Sequence, residues 1–351
     1  MATACLVALH TGGSAMAAPL TTGSDSLKIL FSGGVDPATG LLHGSPALNA
    51  TFPDGQQGTF IMDTGSAGMV VYNTSFSPPS GAPAYTDVIQ AYKSDNLLFQ
   101  GDVYLTQVEI GTPGNSVTAN VPVLDASQQR CADPSQSCTL ASSWRFIGVG
   151  FGEVGAGNTA WPINGTQRNP LFNITAINGV SANPTQGWIM ASDGITVGLT
   201  PANTASFNPA GLEPLSTSPD GFNRGSAAVF ASPTVPGQAP PSLPPVPFSG
   251  TVLVDSGVSY AMMVLSPGAP RPNTVTCPYG PHDCTDSGYT ITVYLGNPAA
   301  PLLYQVITGA NGTISASPFD AAAPDFVNQL SDSAAFWNTS NHFYKCLQLL
   351  V

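Results

Sequence analysis

Two short segments of this chain carry the same chemistry at the end of an apolar run. Phe60-Ile-Met-Asp-Thr-Gly-Ser66 and Val252-Leu-Val-Asp-Ser-Gly-Val258 each lead into an aspartate, a small hydroxyl residue and a glycine. Both return quickly to apolar residues, through Ala67-Gly-Met-Val-Val71 and Ser259-Tyr-Ala-Met-Met-Val264. A strand ending on Asp63 or Asp255 fixes the carboxylate, and Gly65 or Gly257 allows a tight turn and a close backbone approach. Thr64 and Ser256 supply hydroxyls able to hydrogen-bond across to a partner loop. Two such loops meeting face to face would bring two carboxylates to about 3 Å, where both cannot ionise and one proton is shared. One carboxylate then acts as a base toward water while the other donates to a substrate carbonyl.

Asp-x-Gly is also ordinary turn chemistry. Asp286-Ser-Gly288, in a polar loop after Asp283, reads as a turn only. Asp63 and Asp255 differ because each follows an apolar run and each falls in its own half of the chain, 192 residues apart.

The elements that must position them are strands. Residues 58–62, 69–72, 100–111, 118–124, 194–199, 250–254, 260–265 and 289–294 are β-rich runs bounded by turn residues. Helical periodicity is scarce, its best instance being Asp325–Leu330 behind Pro324 at a first-turn position. The expectation is an all-β protein. Residues 232–247 are Pro-rich and read as an exposed connection, since a central strand cannot lack so many N–H donors.

Composition narrows the partners. The 351 residues suffice for two domains with their own cores. A net charge of −12, with only 8 Lys plus Arg, leaves no patch able to neutralise a nucleic-acid backbone. Hydrophobic residues make up 42% of the chain, enough to offset chain entropy, and disorder is not expected. No run of 18 apolar residues occurs, so no membrane span is expected. Residues 1–20 carry a short apolar stretch and a small-residue pattern, Ser14-Ala-Met-Ala-Ala18, of the kind cut by signal peptidase, which implies export although no basic residue precedes it.

Cys131 with Cys138 and Cys277 with Cys284 share a seven-residue offset in polar loops, and short disulfides are expected there in an oxidising compartment. Cys346 is left over as a buried thiol. Neither CxxC spacing nor neighbouring histidines point to zinc, and no metal is expected. Six Asn-x-Ser/Thr sequons, Asn338 among them, locate nothing in a chain this rich in Ser and Thr.

The two aspartate motifs, with their surroundings, resemble the pepsin-like, two-lobed aspartic peptidases, including bacterial members. Phe146-Ile-Gly-Val-Gly150 looks like the apolar-apolar-Gly element, here Ile147 and Gly148, that threads behind the first active-site loop. Gln90-Ala-Tyr-Lys93 before Gln100-Gly-Asp-Val103 looks like the flap hairpin, with Tyr92 at the position of the tyrosine that covers the cleft. Gly187–Met190 and Gly194–Gly198 are similar to the strands joining the lobes. The resemblance covers about residues 25 to 351, with specificity concentrated at the motifs. It implies a double β-barrel with pseudo-twofold symmetry and a cleft between an N-terminal lobe (21–195) and a C-terminal lobe (196–351). It further implies a secreted or envelope endopeptidase, active as a monomer without cofactor, that takes an extended polypeptide substrate.

Three departures stand out. The family places Ser or Thr directly after each Asp-Thr/Ser-Gly, where its hydroxyl bonds the outer oxygen of the aspartate. Ser66 fits, but Val258 does not, so either Ser259 substitutes or that bond is absent. The second apolar-apolar-Gly element falls at Phe336-Trp-Asn-Thr-Ser340, with Ser340 where glycine is expected. No basic prosegment fits before Asp63, so activation by pro-peptide removal is not expected. These departures support an alternative, a catalytically silent protein of the same fold that binds a protein or polysaccharide.

Other constellations fail. Gly150–Gly155 spells GxGxxG, but Pro162 and Gly165 break the helix that nucleotide binding needs. There is no GxSxG, the four histidines are scattered, and Glu153 and Glu213 have no partner for glycoside chemistry. Trp144, Trp161, Trp188 and Trp337 read as core.

Overall fold

The computed structural model describes residues 22–38, 42–74, 76–92, 96–135, 138–150, 161–163, 165–205, 251–265, 273–276, 283–286, 289–294, 302–308, 314–316, 327–330, 336–341 and 349–350. The leader, the Pro-rich segment 232–247, Gly288, Cys277, Cys346 and most of the GxGxxG stretch lie outside them. The described residues are mostly strand, as expected, and divide into two compact units, one spanning 22–205 with 349–350, the other 251–341.

The first unit contains β1 (Leu27–Leu30), β2 (Gly33–Val35), β3 (Leu42–Thr51), β4 (Gln57–Asp63), β5 (Ala67–Tyr72), β6 (Tyr85–Tyr92) and β7 (Leu97–Thr112). It continues with β8 (Asn115–Cys131), β9 (Trp144–Val149), β10 (Ile174–Ile177), β11 (Val180–Ser181), β12 (Trp188–Ala191) and β13 (Gly194–Val197). Strands β7 and β8 form a long hairpin whose turn, Thr112-Pro-Gly-Asn115, puts Pro at the second position and Gly114 at φ +80°, as a type II turn requires. Pairing runs β8-β5-β9-β4-β3-β7 and returns from β7 to β8, so these six strands close on themselves, with β6, β10–β11 and β2 branching from the ring. Closure buries alternate residues of β7, among them Phe99, Val103, Val108 and Ile110. One end of this core is aromatic: Tyr92, Phe99, Trp144 and Phe146 pack together, with Trp144 stacked on Phe146 at a centroid distance of 4.3 Å. A Cys131–Cys138 disulfide ties the end of β8 to the following loop, as the spacing predicts, and Cys138 packs against this core.

A smaller sheet in the same unit has the order β1-β13-β12, completed by Leu349–Leu350 on β12. Strand β13 crosses the boundary expected at 195/196 and lies wholly in the first unit.

The second unit contains β14 (Thr251–Leu253), β15 (Ala261–Val264), β16 (Thr274–Thr276), β17 (Asp283–Thr285), β18 (Thr290–Tyr294), β19 (Leu302–Thr308), β20 (Ile314–Ala316), β21 (Val327–Leu330) and β22 (Phe336–Asn338). Its described strands form one sheet, β14-β22-β15-β21-β17-β16, and another, β18-β19-β20. The helix expected over Asp325–Leu330 is not formed. Val327–Leu330 is instead a strand, parallel to β15 on one edge and antiparallel to β17 on the other. Two ladders outweigh the weak helical preference of a four-residue Val-Asn-Gln-Leu segment. Cys284 on β17 is disulfide-bonded and fully buried. Trp161, Trp188 and Trp337 are buried and Trp144 packs into the aromatic cluster, so all four tryptophans are core.

Candidate active site

Asp63 is the last residue of β4, buried together with Phe60 and Met62. The backbone turns immediately, and the amide of Gly65 donates to Asp63 Oδ1 at 2.7 Å. The Ser66 hydroxyl donates to Oδ2 at 2.5 Å. Both aspartate oxygens are therefore held by atoms two and three residues along, and Asp63 is only 5% exposed. Such a group is held in one orientation by donors that favour its charged form.

Behind this loop runs β9, parallel to β4 and antiparallel to β5, with Asp63 and Gly68 both opposite Gly148. The approach is close: a Cβ on Gly148 would stand 2.7 Å from the Ala67 nitrogen, so only glycine fits. Ile147 beside it is fully buried. The Gly150 amide donates to the Ser66 carbonyl at 2.6 Å, tying the loop to the end of β9. Ile147 and Gly148 thus stand on the strand paired with both β4 and β5.

The second unit repeats the arrangement. Strand β22 is parallel to β14 and antiparallel to β15, and β15 is parallel to β21, as β5 is to β8. Asp255 follows β14, is 6% exposed, and its Oδ1 accepts from the Gly257 amide at 2.8 Å. The bond to the outer oxygen is neither absent nor supplied by Ser259. Asn338, at the end of β22, donates from Nδ2 to Asp255 Oδ2 at 2.6 Å, while its Oδ1 accepts from the Ser340 amide at 3.0 Å. Val258 is buried, and its carbonyl accepts from the Asn341 amide at 2.7 Å, as Ser66 accepts from Gly150. Ser340 takes the position of Gly148 in register and sits at φ +69°, in the left-handed region that favours glycine. Thr64 and Ser256 are both buried.

Tyr92 ends β6, opposite Leu97. Its ring is buried against Phe99, Trp144 and Phe146. Two residues earlier, Gln90 joins a buried polar group: its Oε1 accepts from Trp161 Nε1 at 2.8 Å and from Arg168 Nη1 at 3.3 Å. The Arg168 guanidinium lies over the Trp161 ring at 4.8 Å, and its stem packs on Gly68 just beyond the first aspartate loop. Asn169, fully buried, donates to the carbonyls of Val149 and Gly150 and so anchors the end of β9.

Asn338, Asn169, Gln90 and Arg168 were not singled out from sequence. A signal existed for Asn338, a polar residue directly after the apolar pair Phe336-Trp337, and for Asn169, standing just before a proline. Nothing local marks Gln90 or Arg168.

One further acid is perturbed in the first unit. Asp125 on β8 faces Asp102 across the β7–β8 ladder, and burial pushes its carboxyl above the ordinary value of 3.8, with the Asp102 charge adding to the rise. Among the described residues no cluster of His, Cys, Asp and Glu could hold a metal ion, and no helix is long and apolar enough to cross a membrane. Compared with known proteins, the chain matches no family model and no curated protein.

Proposed function

We propose that this protein is an aspartic endopeptidase of the pepsin-like kind, in which Asp63 and Asp255 act as a dyad. The observation that carries the reading is the repetition: each unit buries an aspartate at the end of a strand, caps Oδ1 with the amide two residues on, and backs the loop with a strand parallel to one neighbour and antiparallel to the other. Turns of the Asp-Ser-Gly type do not need that backing.

In the proposed reaction one carboxylate is ionised and the other carries a proton. The ionised group takes a proton from water as the water oxygen attacks the peptide carbonyl carbon, and the protonated group gives its proton to the carbonyl oxygen. The resulting gem-diol collapses with cleavage of the C–N bond, a proton passing to the leaving nitrogen. Thr64 and Ser256 brace the two loops, and the hairpin carrying Tyr92 covers an extended polypeptide. Neither cofactor nor metal enters the scheme. Export and a monomeric state belong to the same proposal.

The test is cleavage of a denatured protein from about pH 2.5 to about pH 7, comparing wild type, Asp63→Asn and wild type with a statine-type inhibitor. Acid-favoured cleavage lost in both controls is the expected result. Folded wild type that cleaves nothing at any pH would overturn the peptidase and leave the silent binder.

A further inference from the structure

Resting on that reading and deepening it, we propose that Arg168 is a positioning residue that couples the β6–β7 hairpin to the first aspartate loop. Its guanidinium bonds Gln90 on the hairpin, and its stem packs on Gly68 beside the loop.

The helical turn Gly165–Arg168 ends on a fully buried arginine, a residue that folded chains bury only against matching groups. Two such groups are Gln90 Oε1, which accepts from Arg168 Nη1 at 3.3 Å, and the Trp161 ring, 4.8 Å beneath the guanidinium. Gln90 is itself fully buried. An amide oxygen has two lone pairs, and this one also takes the Trp161 Nε1 proton, at 2.8 Å, while Gln90 Nε2 donates to the Ala91 carbonyl at 3.2 Å. Arginine, tryptophan and glutamine therefore form one group, with its acceptor on β6.

The other side of this group rests on the aspartate loop. A Cβ on Gly68 would stand 3.3 Å from Arg168 Cβ and 3.8 Å from Trp161 Cη2, so both side chains lie on the backbone five residues past Asp63. The next residue, Asn169, donates to the carbonyls of Val149 and Gly150, and the Gly150 amide donates to the Ser66 carbonyl. Residues 168 and 169 are thus fastened to the loop at two points before Arg168 reaches the hairpin.

The hairpin has a use for that bond. Both ladders that carry it shift register at its base, β6–β7 between Tyr85 and Val88, and β7–β8 between Gln100 and Gly101. Such irregularities bend and twist strands, so the part beyond them, Val88 to Gln100, is set by what packs on it. Tyr92 and Phe99 seat it on the aromatic rings of β9, contacts with little direction. An apolar side chain in place of Arg168 could also cover Gly68. The guanidinium adds a directional bond to Gln90, two residues before Tyr92 on the hairpin that the proposed reaction lays over the substrate.

The experiment follows hydrogen exchange of the full chain by NMR, without substrate. In wild type the Trp161 indole N–H should be protected as strongly as the protected amides of β6, since one opening releases both. Indole protection about 100-fold weaker overturns the proposal, and this comparison needs no variant. Arg168→Met keeps a stem over Gly68 and removes the guanidinium. It should speed exchange of the β6 amides by about 10-fold relative to those of β3 and β4. Unchanged β6 exchange in folded Arg168→Met, or equal acceleration of all three strands, overturns the proposal. Gln90→Leu should act alike, and the double variant should fall short of the product of the single effects. Effects that multiply independently overturn the coupling. With a denatured protein substrate, Arg168→Met should raise KM by about 5- to 10-fold and hold kcat within about twofold. A loss confined to kcat would place Arg168 in the service of the loop alone and overturn the coupling. Since exchange uses no substrate, absence of cleavage would remove the peptidase reading separately.

Discussion

At Asp63 the outer carboxylate oxygen accepts from Ser66, three residues along the same loop. At Asp255 it accepts from Asn338, 83 residues further on and on a different strand. The strand behind the first loop continues regularly to Val149 and passes the loop at a glycine. The strand behind the second ends at Asn338, whose side chain caps the Ser340 amide and turns the chain into the left-handed region. The comparison teaches that a buried carboxylate constrains the number and direction of its donors far more than their origin. A donor lost from the loop is replaced by whatever neighbouring strand can reach the same oxygen.

The largest effect tests whether the two loops work together. Asp63→Asn and Asp255→Asn should each lower kcat by about 10³-fold or more, measured on a denatured protein substrate. A variant that keeps wild-type activity would show that its loop is structural and break the equivalence. Ser66→Ala removes the hydroxyl that donates to Asp63 Oδ2. A fall in kcat of about 10- to 100-fold is expected, with little change in KM, and an unchanged kcat would mean that the hydroxyl does not act on the carboxylate.

The strands behind the loops can be compared by stability. Gly148→Ala places a methyl 2.7 Å from the backbone nitrogen of Ala67, and should cost about 1–3 kcal/mol in chemical denaturation. Ser340→Gly, at the matching position, relieves a positive φ and should shift stability by less than about 1 kcal/mol. Equal losses in the two would mean that the positions are not equivalent.

The Asp102–Asp125 pair sharpens the contrast, because here like charges face each other across a ladder, with Asp102 Oδ1 accepting from the Asp87 amide at 3.2 Å. The Asp125 carboxyl in the folded chain lies above 3.8, so the folded state binds more protons than the unfolded state in the window just above that value. Stability is therefore full below 3.8 and falls as pH rises through that window. Asp125→Asn should raise Tm at neutral pH and lose its advantage on acidification below 3.8, a test made by thermal melts across pH. An advantage independent of pH would assign the effect to packing.

Sequence by itself determined the strands around both aspartates, since an apolar run bounded by turn residues is a local signal. It also located the Cys131–Cys138 disulfide, for the same reason: the informative residues are close together in the chain. Tertiary structure alone decided the rest. Val327–Leu330 became a strand because β15 and β17 offered it two edges, which no four-residue pattern can announce. Tyr92 found its place among aromatic rings from two other strands, β7 and β9. Asn338 reached Asp255 only because β22 lies between β14 and β15, so that residues far apart in sequence share one oxygen. Covalent neighbours set what a segment prefers, and hydrogen-bond partners brought in by folding set which preference is met.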